Sequence, residues 1–140
     1  MGNKIKMEVV TPERVVVQAE VDSLVVPAAE GYLGVLPGHA PLLTRLDIGV
    51  LRYRVGDQEE CLSICCGFME VARGNRVIIL ADTAERACEI DVDRALRAKA
   101  RAENLLQTRP EGLDQARAEA ALRRALTRLK AADYQGNNKY

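Results

Sequence analysis

Residues 30–44 read Glu-Gly-Tyr-Leu-Gly-Val-Leu-Pro-Gly-His-Ala-Pro-Leu-Leu-Thr, and the fold is decided here. Gly31 and Gly34 flank two apolar residues, a spacing that permits a sharp turn into a short strand. Pro37-Gly38 fits a type II turn, in which proline presets φ at the second position and glycine accepts positive φ at the third. Pro41 disfavours helix just downstream, so residues 42–44 leave the turn extended. The stretch is therefore a turn, a strand, a tight turn and another strand. Any one of these residues alone would suit a plain loop in a β domain.

Working outward, the flanking sequence has the same character. Residues 5–10 are extended until Thr11-Pro12 interrupts them, and Val15, Val16 and Val17 are too β-branched to favour a helix. Residues 22–26 end at Pro27. Leu51, Tyr53 and Val55 alternate with Arg52 and Arg54, giving one buried and one wet face. Gly56-Asp57 turns the chain, and Leu62, Ile64 and Cys66 continue the alternation. Residues 68–71 precede an Arg73-Gly74-Asn75 turn, and residues 77–81 are apolar enough for burial on both faces. Short strands at close intervals imply a β-sandwich or barrel.

After Asp82 the period changes. Asp91 is an N-cap candidate, with Asp93 in the first turn complementing the helix dipole. Ala95, Ala98, Ala102 and Leu105 form one stripe; Pro110 and Gly112 break the helix. A second helix begins near Asp114, with a stripe of Ala118, Leu122, Ala125, Leu129 and Ala132. Two helices with alanine seams and a short connection read as an antiparallel hairpin. Residues 136–140 are expected to fray. Alanine buries little area, at ~25 cal/mol per Å2, so the seam is weak and the hairpin needs a docking surface. The expected organisation is mainly β plus α: an N-terminal β unit over residues 1–86 and a helical hairpin over 87–140.

Composition limits the function. The 140 residues are 48% hydrophobic and formally neutral. Residues 1–89 carry nine Lys/Arg against thirteen Asp/Glu, a net of −4, and residues 90–140 carry eleven against seven, a net of +4. That asymmetry speaks against general nucleic-acid binding and for an acidic partner of the C-terminal part. Four cysteines at 61, 65, 66 and 88, far in sequence from the single histidine His39, do not have zinc-site spacing. No run resembles a secretory signal or approaches the roughly 20 apolar residues of a membrane span. The thiols are thus expected to be reduced, buried and structural. Adjacent residues on a strand point to opposite faces, which speaks against a redox pair at Cys65-Cys66. No phosphate-binding loop, dinucleotide fingerprint, Gly-x-Ser-x-Gly elbow or His-Glu-x-x-His is present. His39 lacks a nucleophile motif around it and fits a local hydrogen bond or a partner contact better than a general base.

Taken whole, residues 30–44 closely resemble the signature of the epsilon subunit of the bacterial-type rotary (F-type) ATP synthase. The resemblance extends over the strand-rich region and implies a β-sandwich there. It also implies a rotor subunit without catalytic residues, at the cytoplasmic face of the bacterial cell membrane. Such a subunit couples gamma to the c-ring and inhibits ATP hydrolysis through its hairpin. The family has two consecutive glycines where this chain reads Cys66-Gly67, so a conformation requiring glycine would be strained at Cys66. A second resemblance lies in Ile90-Asp91-x-x-Arg94-Ala95, similar to the motif by which some epsilon subunits bind ATP. It implies a nucleotide site of Glu85, Ile90, Asp91, Arg94, Ala95, Arg101, Arg124 and Arg128. Arginine suits phosphate because its planar fork donates two hydrogen bonds at once. ATP is then a regulatory ligand, and no cofactor is required. The implied partners are gamma on the sandwich, the polar loops of the c-ring near Glu30, Gly31, Tyr32 and His39, and the catalytic beta subunit. Arg117, Arg123, Arg124 and Arg128 would face beta; the membrane is met only through the complex. A free-standing nucleotide sensor and a small enzyme built on His39 are the rival classes.

Overall fold

Burial alternates along the first strands as a half-buried sheet requires. In the computed structural model, which describes residues 3–137 and side chains through Tyr134, β1 (Ile5–Val10) buries Ile5, Met7 and Val9 while Lys6 stays exposed. β2 (Val15–Val21), β3 (Ser23–Ala28), β4 (Gly31–Val35), β5 (Leu42–Leu46), β6 (Gly49–Val55), β7 (Gln58–Ala72) and β8 (Arg76–Arg86) follow. Neighbours run β2-β1-β8-β7-β5-β3-β4, with β6 paired to both β3 and β7. β1 and β8 are parallel; the other pairs are antiparallel. The sheet folds over a core that includes Met7, Val9, Leu24, Val26, Leu51, Leu62, Ile64, Met69 and Ile79. This is the β-sandwich that the resemblance implies.

β7 joins the two layers. Its first half pairs with β6, from Val55↔Gln58 to Gly49↔Ile64, and its second half pairs with β5, from Leu46↔Gly67 to Leu42↔Val71. Cys65-Cys66 is the corner between the halves. There Cys66 takes a φ of 58° and Gly67 a φ of 141°. The regular alternation expected through Leu62, Ile64 and Cys66 therefore stops. Cys61, Leu62, Ser63 and Ile64 are all buried, because a helix covers the face that alternation would leave wet.

Three expectations on the strands need correction. β8 continues five residues past Ala81, since residues 83–86 pair with the first half of β7; ladder pairing overrides a polar, helix-compatible local sequence. Residues 77–81 are buried on one face only, with Leu80 54% exposed. Pro27 lies inside β3, opposite Tyr32, and does not end it.

After a short 3-10 turn, Ala87–Glu89, come α1 (Val92–Thr108) and α2 (Gln115–Asn137). Asp91 caps α1 as expected, accepting from the Arg94 N–H at 3.1 Å. Asp114 accepts from the Arg117 N–H at 3.1 Å at the start of α2. Between them Arg109 adopts the left-handed conformation that ends α1. α2 packs on β6, β7 and the 3-10 turn, and α1 packs against α2. The helix includes residues 136 and 137, where the sequence predicts fraying; 138–140 lie outside the described residues.

Candidate functional site

The Pro37-Gly38 turn forms as the sequence predicts: Gly38 has φ 84° and the His39 N–H donates to the Leu36 carbonyl at 3.1 Å. The Gly38 N–H also donates to Asn75 Oδ1 at 2.7 Å, tying this turn to the one between β7 and β8. His39 Nδ1 lies 2.7 Å from the Ala40 carbonyl, a local hydrogen bond in which the ring nitrogen donates. β4 ends the strand order and is an edge. Glu30 and Gly31 flank one end of β4 and His39 follows its other end, so the predicted contact residues run along an edge. Tyr32 is 56% exposed, yet its hydroxyl accepts from the Val50 N–H at 3.2 Å.

A crevice opens between α2 and the corner of β7 and β8. Ser63, Cys65, Thr83, Glu85, Arg124, Thr127 and Arg128 line it. Arg128 Nε meets Glu85 Oε1 at 2.7 Å. The cavity volume is ≈ 20 Å³, room for about one water and far below the roughly 300 Å³ of a small-ligand pocket. Of the eight predicted nucleotide positions, Glu85, Arg124 and Arg128 come together here. Ile90 is buried with Val50, Cys61, Ala87 and Ala131; Ala95 is buried in the hairpin seam, and Asp91 is the helix cap. Arg94 and Arg101 are exposed on α1 and do not line this crevice.

Further polar contacts hold α2 down. Arg123 Nη2 reaches Asp47 Oδ2 at 3.2 Å. The Ile48 N–H, and then Arg123, keep the Asp47 carboxyl below the usual carboxylate range. That contribution is present above the unfolded-state pKa of the carboxyl and is lost as pH falls through the depressed folded value. Arg52 Nη1 donates to the Tyr134 hydroxyl at 2.6 Å, with its guanidinium 5.1 Å from the ring centroid. Arg117 is exposed. Sequence reasoning missed Arg52, Asp47 and Tyr134. The available signal was Tyr134 as the sole aromatic of α2; Arg52 reads as an ordinary wet-face residue until a helix covers that face.

The strands β5, β7 and β8 expose three large apolar side chains. Phe68 stands between Arg45 on β5 and Leu80 on β8, with Leu43 two residues along β5. Leu43, Phe68 and Leu80 are each more than half exposed. Among the described residues no cluster of His, Cys, Asp or Glu could hold a metal ion.

A β-sandwich followed by a helical domain is the organisation of the ATP synthase delta/epsilon chains. The β-sandwich domain of that class matches residues 4–87, and its long α-helix domain matches residues 89–133. The ATP synthase epsilon chain of Moorella thermoacetica is 57% identical over 91% of this chain and 96% of its own length. That of Desulforamulus reducens is 47% identical over 95% and 100%. In a mitochondrial ATP synthase structure from Euglena gracilis, a chain superposes with a TM-score of 0.79 at 25% identity, covering 94% of this chain and 82% of that one. A Tetrahymena thermophila central stalk/c-ring structure shares the fold, with a TM-score of 0.56 at 15% identity over 95% and 96%. The chain belongs to the ATP synthase epsilon-chain family.

Proposed function

We propose that this chain is a non-catalytic rotor subunit of a proton-translocating ATP synthase. It couples gamma to the c-ring, and its hairpin inhibits ATP hydrolysis in an ATP-responsive way. The open apolar face of Leu43, Phe68 and Leu80 suits a permanent protein partner, since patches of this kind on a sandwich otherwise invite aggregation; gamma takes that face. The β4 edge from Glu30 to His39 meets the polar loops of the c-ring. No helix among the described residues is long and apolar enough to cross a membrane. Placement at the cytoplasmic face of the bacterial membrane then comes through the complex.

One observation carries the regulatory half of this reading: beside the small apolar seam at Ala131 and the Arg52–Tyr134 contact, the ion pairs that hold α2 down are weak one at a time. Arg123–Asp47 and Arg128–Glu85 are ion pairs between side chains 34–54% exposed, each worth about 0–1 kcal/mol. A helix held this way can leave the sandwich, extend along gamma and present Arg117, Arg123, Arg124 and Arg128 to an acidic surface of beta. The test is to assemble the complex with a chain lacking residues 90–140. ATP hydrolysis should rise severalfold while gamma still co-purifies. Unchanged hydrolysis across a range of ATP concentrations would remove the inhibitory role.

A further inference from the structure

Adjacent thiols point to opposite faces only where a strand keeps regular extended geometry, and the corner of β7 does not have it. With φ at 58°, Cys66 turns its side chain to the side of Cys65. The Cys65 thiol donates to Cys66 Sγ at 3.7 Å, van der Waals contact between sulfurs. Both residues are partly exposed. Cys65 lines the crevice beneath Arg124, Thr127 and Arg128. Cys66 lines a neighbouring cleft with Arg45, Asp47, Phe68 and Asp82. Two sulfurs in contact, on partly exposed residues beside the docked α2, are placed to react together.

We propose that Cys65 and Cys66 form a vicinal dithiol that a small-molecule disulfide oxidises reversibly to an eight-membered disulfide ring. The thiolate of Cys65 attacks one sulfur of R–S–S–R. A Cys65–S–S–R bond forms, the reagent's S–S bond breaks, and one RS⁻ leaves. Cys66 then gives its proton to solvent and attacks Cys65 Sγ. The ring closes and the second RS⁻ leaves. Two electrons pass from the cysteines to the reagent, and the two protons released end on the two departing thiols. Burial pushes the Cys66 thiol up to about 11, which fits its role as the second sulfur to react. Adjacent Cα atoms are ~3.8 Å apart, closer than in ordinary disulfides, so the ring is strained and readily reduced.

The test treats the purified full chain with excess glutathione disulfide, then denatures it, alkylates it with iodoacetamide and maps the peptides. The peptide holding Cys65 and Cys66 should lose both labels and be lighter by two hydrogens, whatever adduct the exposed Cys88 takes up, and dithiothreitol should restore both labels. Cys66→Gly, which suits the positive φ and keeps the fold, should stop at a glutathione adduct on Cys65. Full labelling after oxidation overturns the proposal. So does a bridge mapped to Cys61 or Cys88, or a wild-type chain that keeps the Cys65 adduct with Cys66 still alkylated.

Discussion

Gly67 and Cys66 show how much one residue's backbone can decide. A Cβ on Gly67 would lie 2.0 Å from the Leu80 carbonyl oxygen, at a φ of +141° that side chains rarely adopt. Gly67→Ala must therefore part β7 from β8 locally. It should cost more than about 2 kcal/mol, since backbone strain and overpacking add. Cys66→Gly should move the other way. It relieves a left-handed conformation costing ~1–2 kcal/mol and gives up only part of a half-buried thiol. Urea unfolding midpoints of the two variants against wild type read both signs; an unchanged midpoint for Gly67→Ala would show that the corner yields freely. The sequence pointed to this corner, because a second glycine is missing where the resemblance expects one. It did not reveal that the thiols touch, because the alternation rule assumes the extended φ that Cys66 lacks.

At the scale of elements, the hairpin's existence and caps were legible and its docking was not. Asp91, Pro110, Gly112 and Asp114 mark the helix ends through local chemistry, which a sequence displays. A single apolar stripe, however, describes a helix with one partner. α2 has two: Ala118 and Ala125 lie buried on the predicted stripe, while Ala131, off that stripe, is fully buried beside Val50, Cys61, Ala87 and Ile90. This separates the faces experimentally. Ala131→Leu keeps helix propensity nearly constant and overpacks only the sandwich-facing side, at a cost of about 1–3 kcal/mol. Hydrogen exchange should quicken along α2 and stay unchanged in β1 and β8. Slow, wild-type exchange in α2 would mean that the helix is held by its polar contacts and not by this seam.

At the scale of the whole molecule, the structure is the compact form, and nucleotide should favour it. ATP cannot occupy the crevice as it stands: ≈ 20 Å³ is closed off further by the Arg128–Glu85 bridge. Binding must therefore displace the Glu85 carboxylate with phosphate, and Arg94 and Arg101 join only if they are brought round to the crevice, which they do not line. A ligand moves a two-state equilibrium only through unequal affinity for the states. The compact form pairs Arg128 with Glu85 and brings Arg124 to the same crevice, an arrangement that an extended hairpin gives up. At ~100 times its dissociation constant, ATP would then stabilise the compact form by roughly 2.7 kcal/mol. Calorimetric titration of the full chain with ATP should show binding, and Arg124→Ala or Arg128→Ala should weaken it about tenfold or more. That is the effect of losing one charge-assisted hydrogen bond of about 1.5–3 kcal/mol. The sandwich should stay folded in both variants, as its core lies away from these arginines. Should wild type give no heat at millimolar ATP, or the variants bind as well, these arginines do not bind nucleotide and ATP does not set the position of the hairpin.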